Sequence, residues 1–195
     1  MPQGPDANAP RFGPDYRESA TLDDGTRVVV RPVRRSDVGL LRKGFEELSA
    51  ESRDRRFFGA KKALSQAERS YLTECDGINH FAIGAVLAGP DGREQGVGVA
   101  RFVRLTGENA ADGAVTVIDA MHHKGLGGLL VDRLLAAAAE RGIEELRFSV
   151  LASNHPMSAV LRKLETRSAP HIDEQIGGGV LEYRVKVSPR AASRG

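Results

Sequence analysis

The chain has 195 residues, a formal net charge of +2, and 41% hydrophobic and 28% charged residues, proportions typical of a globular protein with one full core. The small net charge, in which basic and acidic residues are interleaved, argues against a protein that binds nucleic acid. The single cysteine, Cys75, and the lack of a secretory signal or of any apolar run near the ~20 residues of a membrane span predict a cytoplasmic protein without a membrane contact.

Both ends of the chain are predicted to be flexible tails. Residues 1–19 are rich in Pro, Gly, Asp and Asn, and residues 188–195 have a similar polar character. The single domain is therefore expected to span residues 20–187, and no internal repeat divides it.

The first part of this domain contains one strand signal and two helix signals. Residues 27–33 are rich in valine and follow an Asp24-Gly25 turn, which predicts a strand. Ser36-Asp37 can cap a helix whose apolar residues recur at helical spacing, namely Leu40, Leu41, Phe45 and Leu48. The S-x-x-E pattern of Ser65 to Glu68 is a capping box and predicts a short second helix.

The rest of the domain alternates between strands and helices. A hairpin with a Pro90-Asp91-Gly92 turn joins two of the predicted strands. Gly142 ends a long Leu- and Ala-rich helix, and Asn154 caps the next one. The predicted elements are strands 81–87, 96–105 and 113–118, helix 126–141, strand 145–150, a helix through Leu164, and a final hairpin of 171–176 with 180–187.

A glycine-rich turn joins strand 113–118 to the long helix. Glycines at 125, 127 and 128 allow backbone amides to crowd together, and the first turn of a helix leaves about four N–H groups unpaired. Such a turn binds phosphate groups well, although a plain tight turn is the competing interpretation. A P-loop is excluded because Leu129 follows Gly128, and a Rossmann fingerprint is excluded because Leu130 stands where its last glycine belongs.

Three segments resemble the GNAT superfamily of N-acetyltransferases. Residues 122–127, HHKGLG, resemble its acyl-CoA signature [QR]-x-x-G-x-[GA], with His122 in place of Gln or Arg. Residues 48–58, LSAESRDRRFF, resemble the LSPESRYxRFF stretch of a bacterial subgroup, and residues 150–157 resemble its strand-Asn-x-x-Met segment. The resemblance covers about Val28 to Val187, and the subgroup includes stand-alone acetyltransferases and the catalytic domain of bacterial protein-lysine acetyltransferases.

The resemblance implies a more detailed fold than the periodicity does. The periodicity alone indicates an α/β chain with one sheet. The resemblance implies a single GNAT-like domain with a central mixed, mostly antiparallel sheet, flanked by helices and splayed between its fourth and fifth strands. In this sequence those strands are 113–118 and 145–150.

The resemblance also implies acetyl-CoA as co-substrate, with its pantetheine along the fourth strand and its pyrophosphate on the glycine turn. Lys124 either adds a charge to the phosphates or is a solvated loop lysine. His122 either contacts the cofactor or has no role, and Asn154 contacts the pantetheine, caps a helix, or does both. The residues that match the family's cofactor site are Val115, Val117, Ile118, Asp119, His122, His123, Lys124, Gly125, Leu126, Gly127, Gly128 and Asn154.

Two aspartates are rival candidates for the catalytic base that takes a proton from the amine. Asp112 lies near the start of the fourth strand, where family members often have a Glu, and Asp119 lies at its end. Each is alternatively a turn or capping residue. The tyrosine that serves many family members as general acid is replaced by Leu161, and Tyr183 is expected to pack in the core.

The predicted function is transfer of an acetyl group from acetyl-CoA to a primary amine, with protein lysine as the first choice of acceptor and a small amine as the second. Arg53, Arg56 and Phe57 would shape the acceptor site, or else form a solvated helix end with core phenylalanines. No His or Cys spacing indicates a metal. The alternative is a catalytically weak or inactive acyl-CoA-binding regulatory module, and a homodimer is left open.

Overall fold

A computed structural model describes residues 10–89, 92–168 and 172–187, including all side chains there except those of 165–168 and 172–177. Eight strands form one sheet. The strands are β1 (Glu18–Thr21), β2 (Arg27–Pro32), β3 (His80–Ala88), β4 (Glu94–Arg104), β5 (Ala110–Val117), β6 (Glu145–Leu151), β7 (Ile172–Gly177) and β8 (Val180–Lys186). The helices are α1 (Val38–Glu46), α2 (Ala50–Phe57), α3 (Gln66–Thr73), α4 (Leu126–Glu140) and α5 (His155–Ser168).

The sheet is mixed and mostly antiparallel, as predicted. Its strand order is β1-β2-β3-β4-β5-β6-β8-β7, and only the β5–β6 pair is parallel. Helix α4 packs on β3, β4 and β5, whereas α1 and α2 contact β4 and β5. Because side chains alternate along a strand, Leu130 of α4 approaches Gly98 on one face while Val99 points to the other.

Strands β5 and β6 splay apart after a short paired segment. They pair only from Ala110 to Asp112, and β5 continues to Val117 with β4 alone as its neighbour. At the next position, the ring of Phe148 from β6 covers Gly113 so closely that a Cβ there would be 2.5 Å from a ring carbon. The splay expected between these two strands is therefore confirmed.

Three of the predicted helix ends are confirmed, but the predicted Ser36-Asp37 cap is not: Asp37 directly precedes α1, no side-chain hydrogen bond caps that helix, and the Asp37 carboxylate pairs with Arg31. Ser65 Oγ accepts the Glu68 N–H at 3.2 Å, and the Glu68 carboxylate accepts the Ser65 N–H at 2.8 Å, which completes the capping box. Asn154 Oδ1 accepts the Met157 N–H at 3.2 Å. Gly142 follows α4 with a φ of 67°, the left-handed conformation that terminates many helices.

The predicted N-terminal tail is too long. Phe12 is 1% exposed and its ring lies 4.5 Å from that of Tyr16, and β1 starts at Glu18 and pairs with β2. The prediction relied on the polar composition of this segment and overlooked Phe12 and Tyr16. Packing of these two aromatic side chains offsets the entropy lost when a short segment becomes ordered. The remaining predicted tail residues, 1–9 and 188–195, lie outside the described ranges, as do Pro90 and Asp91 of the predicted hairpin turn.

Helix α2 was not predicted from the sequence. Leu48 was expected in the first helix, but α1 ends at Glu46 and α2 begins at Ala50. Ser49 caps α2 by accepting the Ser52 N–H at 3.1 Å. Within the described ranges, no helix combines the length and apolar character needed to cross a bilayer.

Candidate functional site

A cleft of about 560 Å³ opens beside the splayed part of β5. It is bounded by β5, the N-terminus of α4, and parts of α2 and α5. The predicted cofactor residues that line it are Val115, Val117, His122, His123, Gly125, Leu126, Gly127, Gly128 and Asn154. The structure thus brings residues from three separate parts of the predicted set to one surface.

The N-terminus of α4 presents free amide groups to this cleft. No side chain caps the helix, and its first backbone hydrogen bond runs from the Leu129 N–H to the Gly125 carbonyl at 3.1 Å. The preceding amides, at residues 126–128, therefore have no partner within the helix. They coincide with the positive end of the helix dipole, so this end of the cleft is suited to an anion such as a phosphate.

The backbone at position 125 strongly favours glycine. Its φ is +83°, and a Cβ would lie 2.7 Å from Oδ2 of Asp23. The Asp23 N–H also donates to the Lys124 carbonyl at 3.1 Å, so the β1–β2 loop holds the turn from outside. These contacts fix the turn before any ligand binds.

The exposed edge of β5 supplies a second set of backbone groups. Beyond Asp112, this strand has no partner on the β6 side, and Val115 and Val117 line the cleft. An unpaired strand edge can bind an extended molecule that carries amide groups. The cleft therefore offers amides for an anion at one end and a strand edge along its side.

Two histidines lie between the strand edge and the helix. His122 Nε2 is 2.9 Å from the Val117 carbonyl, and because a carbonyl only accepts, Nε2 carries the hydrogen in this contact. This bond holds the imidazole at the end of β5. His123 has a φ of 59°, which is unusual for a residue other than glycine and turns the chain towards Gly125.

The structure places three predicted cofactor residues outside the cleft lining. Lys124 Nζ pairs with Asp24 Oδ2 at 3.0 Å. Ile118 is only 5% exposed and lines a different cavity. Asp119 follows β5 in a short 3-10 turn and points to α2.

Asp119 connects the end of β5 to the start of α2. Its carboxylate accepts the Ser49 N–H at 2.9 Å, the Ser49 hydroxyl at 2.8 Å and the Ser52 hydroxyl at 2.9 Å. Burial alone would raise the pKa of Asp119, but these hydrogen bonds outweigh it and hold the pKa below its usual value. Both carboxylate oxygens are engaged, so Asp119 is a weak proton acceptor with a clear structural use.

Asp112 has a different environment. It is exposed near the start of β5, opposite Arg147 in the β5–β6 register, and lines neither of the cavities described here. Partial desolvation by neighbouring groups raises the pKa of Asp112, the charge of Arg147 lowers it, and the charges of Glu182 and Glu108 raise it further. The two rival aspartates thus differ in the direction of their pKa shifts.

A second, inner cavity of about 100 Å³ lies between α1, α2, α3 and the sheet. It adjoins the cleft, since Leu48, Arg56 and Thr116 line both. Of the predicted acceptor residues, Arg56 and Phe57 line it. Arg53 lines neither cavity; its guanidinium lies 4.8 Å from the centre of the Phe45 ring.

Sequence reasoning missed two polar residues of the inner cavity. Arg101 is 5% exposed on β4, and Thr116 on β5 accepts the Arg56 Nε–H at 3.0 Å. A signal for Arg101 was present, because it is the only charged residue in the apolar stretch Val97–Val103. The Ser49–Ser52–Asp119 contact was also missed, although its residues lie inside the matched motifs.

The positions considered for a general acid are both in the core. Leu161 and Tyr183 each have 0% exposure. Leu161 has no group that can donate a proton, and the Tyr183 hydroxyl does not reach the cleft surface. Among the described residues, no cluster of three or more His, Cys, Asp or Glu side chains is arranged to hold a metal.

Comparison with known proteins agrees with this geometry. Residues 27–167 match the family model described as acetyltransferase (GNAT) domain. Acetyltransferase PA5475 of Pseudomonas aeruginosa is 31% identical over 137 residues, which are 70% of this chain and 73% of that protein.

Solved structures show the same fold. The GNAT domain of S. lividans PAT superimposes with a TM-score of 0.79 at 23% identity, over 90% of this chain and 99% of that domain. The yncA protein of Salmonella typhimurium, solved with its cofactor acetyl-CoA, gives a TM-score of 0.60 at 13% identity, over 86% and 96% of the two chains. The chain therefore belongs to the GNAT family of acyl-CoA-dependent N-acetyltransferases.

Proposed function

We propose that this chain moves an acetyl group from acetyl-CoA to a primary amine by direct attack, without a covalent enzyme intermediate. The observation that carries the proposal is the cleft onto which both the uncapped N-terminus of α4 and the unpaired edge of β5 open. A diphosphate next to an extended amide chain matches this pair of features. Acetyl-CoA supplies an activated thioester to the site.

The amides of residues 126–128 would bind the pyrophosphate, and the edge of β5 at Val115 and Val117 would pair with the pantetheine. His122 would support this arrangement by holding the Val117 carbonyl. Asn154 lines the cleft with its Oδ1 already used as a helix cap, so its side-chain amide hydrogens remain for a ligand. Lys124 would reach the phosphates only by leaving Asp24.

The reaction requires a neutral amine, because an ammonium ion has no lone pair. The amine nitrogen attacks the thioester carbonyl, the carbon–sulfur bond breaks, CoA leaves as a thiolate, and the nitrogen loses a proton. We assign the proton acceptor to Asp112, acting through water, because Ser49 and Ser52 occupy both carboxylate oxygens of Asp119, whereas the Asp112 carboxyl group is exposed to solvent. No tyrosine serves the thiolate in this proposal, and solvent protonates it.

Two acceptor classes belong to the proposal. Protein lysine is favoured by the resemblance of residues 48–58 to the subgroup that contains protein-lysine acetyltransferases. A small amine is the second class. The adjoining inner cavity bears on the choice between them.

The test is release of free CoA thiol by the purified 195-residue chain, with acetyl-CoA, a lysine peptide and a panel of small amines. We expect acceptor-dependent thiol release and, by calorimetry, binding of CoA. Binding without turnover across the whole panel would favour the regulatory module instead. No detectable heat with millimolar CoA would overturn the cofactor assignment itself.

A further inference from the structure

Two arginines that line the inner cavity have no carboxylate partner among the described residues. Arg101 donates from both Nη atoms to the Leu72 carbonyl at 3.1 Å, and its Nη1 is also 3.1 Å from His80 Nε2. Arg56 donates from Nε to Thr116 Oγ1. All of these partners are neutral oxygens or an imidazole, so neither guanidinium charge is balanced locally.

A third arginine on the same cavity shows what a balanced charge looks like in this fold. Arg31 is 3% exposed, and it pairs with both oxygens of Asp37 at 2.8 and 2.9 Å and with Glu94 at 2.6 Å. Buried charges in proteins are normally paired in this way. Arg101, which is 5% exposed, departs from that rule, and the half-buried Arg56 beside Thr116 likewise has no carboxylate partner among the described residues.

The electrostatics of the two arginines favour binding of an anion beside them. Burial lowers the pKa of Arg56 to about 10, and the nearby charge of Arg101 adds to the effect. Burial likewise lowers the pKa of Arg101. Arg101 and Thr116 lie on the same sheet face, because Val99 pairs with Thr116 and Arg101 with Ala114. An anion between the two arginines would relieve their mutual repulsion.

The rest of the cavity wall is apolar. Its side chains from α1, α2 and the segment through α3 include Leu40, Leu41, Phe45, Phe57, Leu64 and Leu72. The apolar wall and the volume of about 100 Å³ suit one hydrophobic side chain. A lysine within a protein chain has no free carboxylate to place between Arg56 and Arg101.

We propose that the acceptor is a hydrophobic α-amino acid, whose carboxylate binds Arg56 and Arg101 and whose side chain enters the inner cavity. Its amine would then face the cleft, because Arg56 and Thr116 belong to both spaces. Guanidinium groups hold carboxylates with paired, charge-assisted hydrogen bonds, so the carboxylate would be a selected feature of the substrate. This inference rests on the proposed function and narrows its acceptor.

The first test compares acid and amide forms of the same amine on the unaltered protein. Acetylation of leucine, methionine and phenylalanine is measured against leucinamide, methioninamide and phenylalaninamide, with a lysine peptide flanked by glutamates as a further arm. We expect kcat/KM for the acids to exceed that for the amides by about 10- to 100-fold, since the site would leave its arginines unpaired with an amide. Equal rates for acid and amide, or a preference for the peptide, would overturn the inference.

The second test removes one guanidinium. Arg56→Gln should reduce the acid-to-amide ratio towards one, mainly through KM of the acid. Arg42→Gln is the matched control, because Arg42 lies on the exposed side of α1 and pairs with Glu46 at 2.7 Å. A ratio that stays high in Arg56→Gln would contradict the assignment of the carboxylate to this arginine.

Binding separates failure of this inference from failure of the proposed function. Calorimetry of N-acetylleucine and N-acetylleucinamide is carried out on the CoA-saturated protein. Binding of the acid alone supports the anion site even if no amine is acetylated, in which case the proposed function fails and the site survives. If amides are acetylated as fast as acids, the proposed function stands and the carboxylate site fails. If neither binding nor turnover is found, the proposed function and the carboxylate site both fail.

Discussion

At the scale of single residues, the carboxylate of Asp119 is held by Ser49 and Ser52. We predict that Asp119→Asn lowers the free energy of unfolding by about 1–2 kcal/mol, as loss of a helix cap does. Ser49→Ala should have a similar cost, because it removes the same contact. Urea unfolding measures both, and full stability of Asp119→Asn would contradict the structural role.

The same contact has a defined pH dependence. Folding lowers the pKa of Asp119, so its ionised carboxylate stabilises the folded protein. This stabilisation is complete at pH values above the unfolded-state pKa of about 3.9, and it is lost as the pH falls through the folded-state pKa. The difference in stability between the unaltered protein and Asp119→Asn should therefore shrink at acidic pH. A difference that is constant from pH 7 down to about pH 2 would show that the carboxylate charge contributes nothing.

Asp112 leads to a kinetic prediction. As proton acceptor, Asp112 must be ionised, so kcat/KM should fall at acidic pH as its carboxylate becomes protonated. Because the pKa of Asp112 is raised, this fall should occur at a higher pH than the ordinary aspartate pKa of about 3.9. Asp112→Asn should lower kcat about 100-fold and remove this fall at acidic pH. The pH profile of both proteins with one amine measures this, and kcat within twofold of the original would assign the base elsewhere.

At the scale of elements, the N-terminus of α4 depends on the shape of its turn. Gly125→Ala places a Cβ against Asp23 and strains a left-handed residue. It should weaken CoA binding at least about tenfold and cost about 1–2 kcal/mol in stability. Calorimetry and thermal unfolding provide the two readouts.

Gly142→Ala is the control for this change. Gly142 also has a positive φ, of +67°, but it follows the other end of α4 and a Cβ there meets no atom within 4 Å. It should share the cost in stability and keep the affinity for CoA. Equal loss of affinity in both variants would mean that general destabilisation, rather than the turn, explains the result.

Elements with strong local signals were predictable, and those held by distant contacts were not. The capping box of Ser65 and Glu68 and the cap at Asn154 follow from nearest neighbours along the chain, so the sequence located α3 and α5. Strand β1 has only four residues, and its pairing with β2 is not visible in its composition. Helix α2 depends on Ser49, whose second partner is 70 residues away.

The lining of the cleft beside the glycine turn was easier to predict from the sequence than the lining of the inner cavity. A glycine turn between a strand and a helix is contiguous in sequence, so one motif indicated residues 122–128. The inner cavity draws on three helices and four strands, and the β4–β5 register brings Arg101 close to Thr116, the partner of Arg56. Whether a guanidinium has a carboxylate partner depends on contacts between distant parts of the chain, so it could not be predicted from the sequence.

At the scale of the whole molecule, the segment before β1 belongs to the core. Phe12 is buried, its carbonyl accepts Arg141 Nη2 at 3.0 Å, and Glu18 pairs with Arg133 at 2.6 Å. Phe12→Ala should lower the free energy of unfolding by about 3–5 kcal/mol, as for other buried phenylalanines. Thermal or urea unfolding measures the change.

Phe58 provides the matched control, because it is 48% exposed. Phe58→Ala should cost less than about 1 kcal/mol, since surface substitutions have small effects. If both variants were equally stable, residues 10–17 would contribute nothing to the packed domain, and the boundary predicted at residue 20 would stand.

The bond between Asp119 and the start of α2 has a mechanical consequence. One end of this link is the strand tip that leads into the glycine-rich turn, and the other is the helix that carries Arg56. A shift of either partner would be passed to the other through a single carboxylate. If acetyl-CoA and the amine bind as proposed, their affinities would be coupled through this carboxylate, and thermodynamic reciprocity would make that coupling equal in both directions.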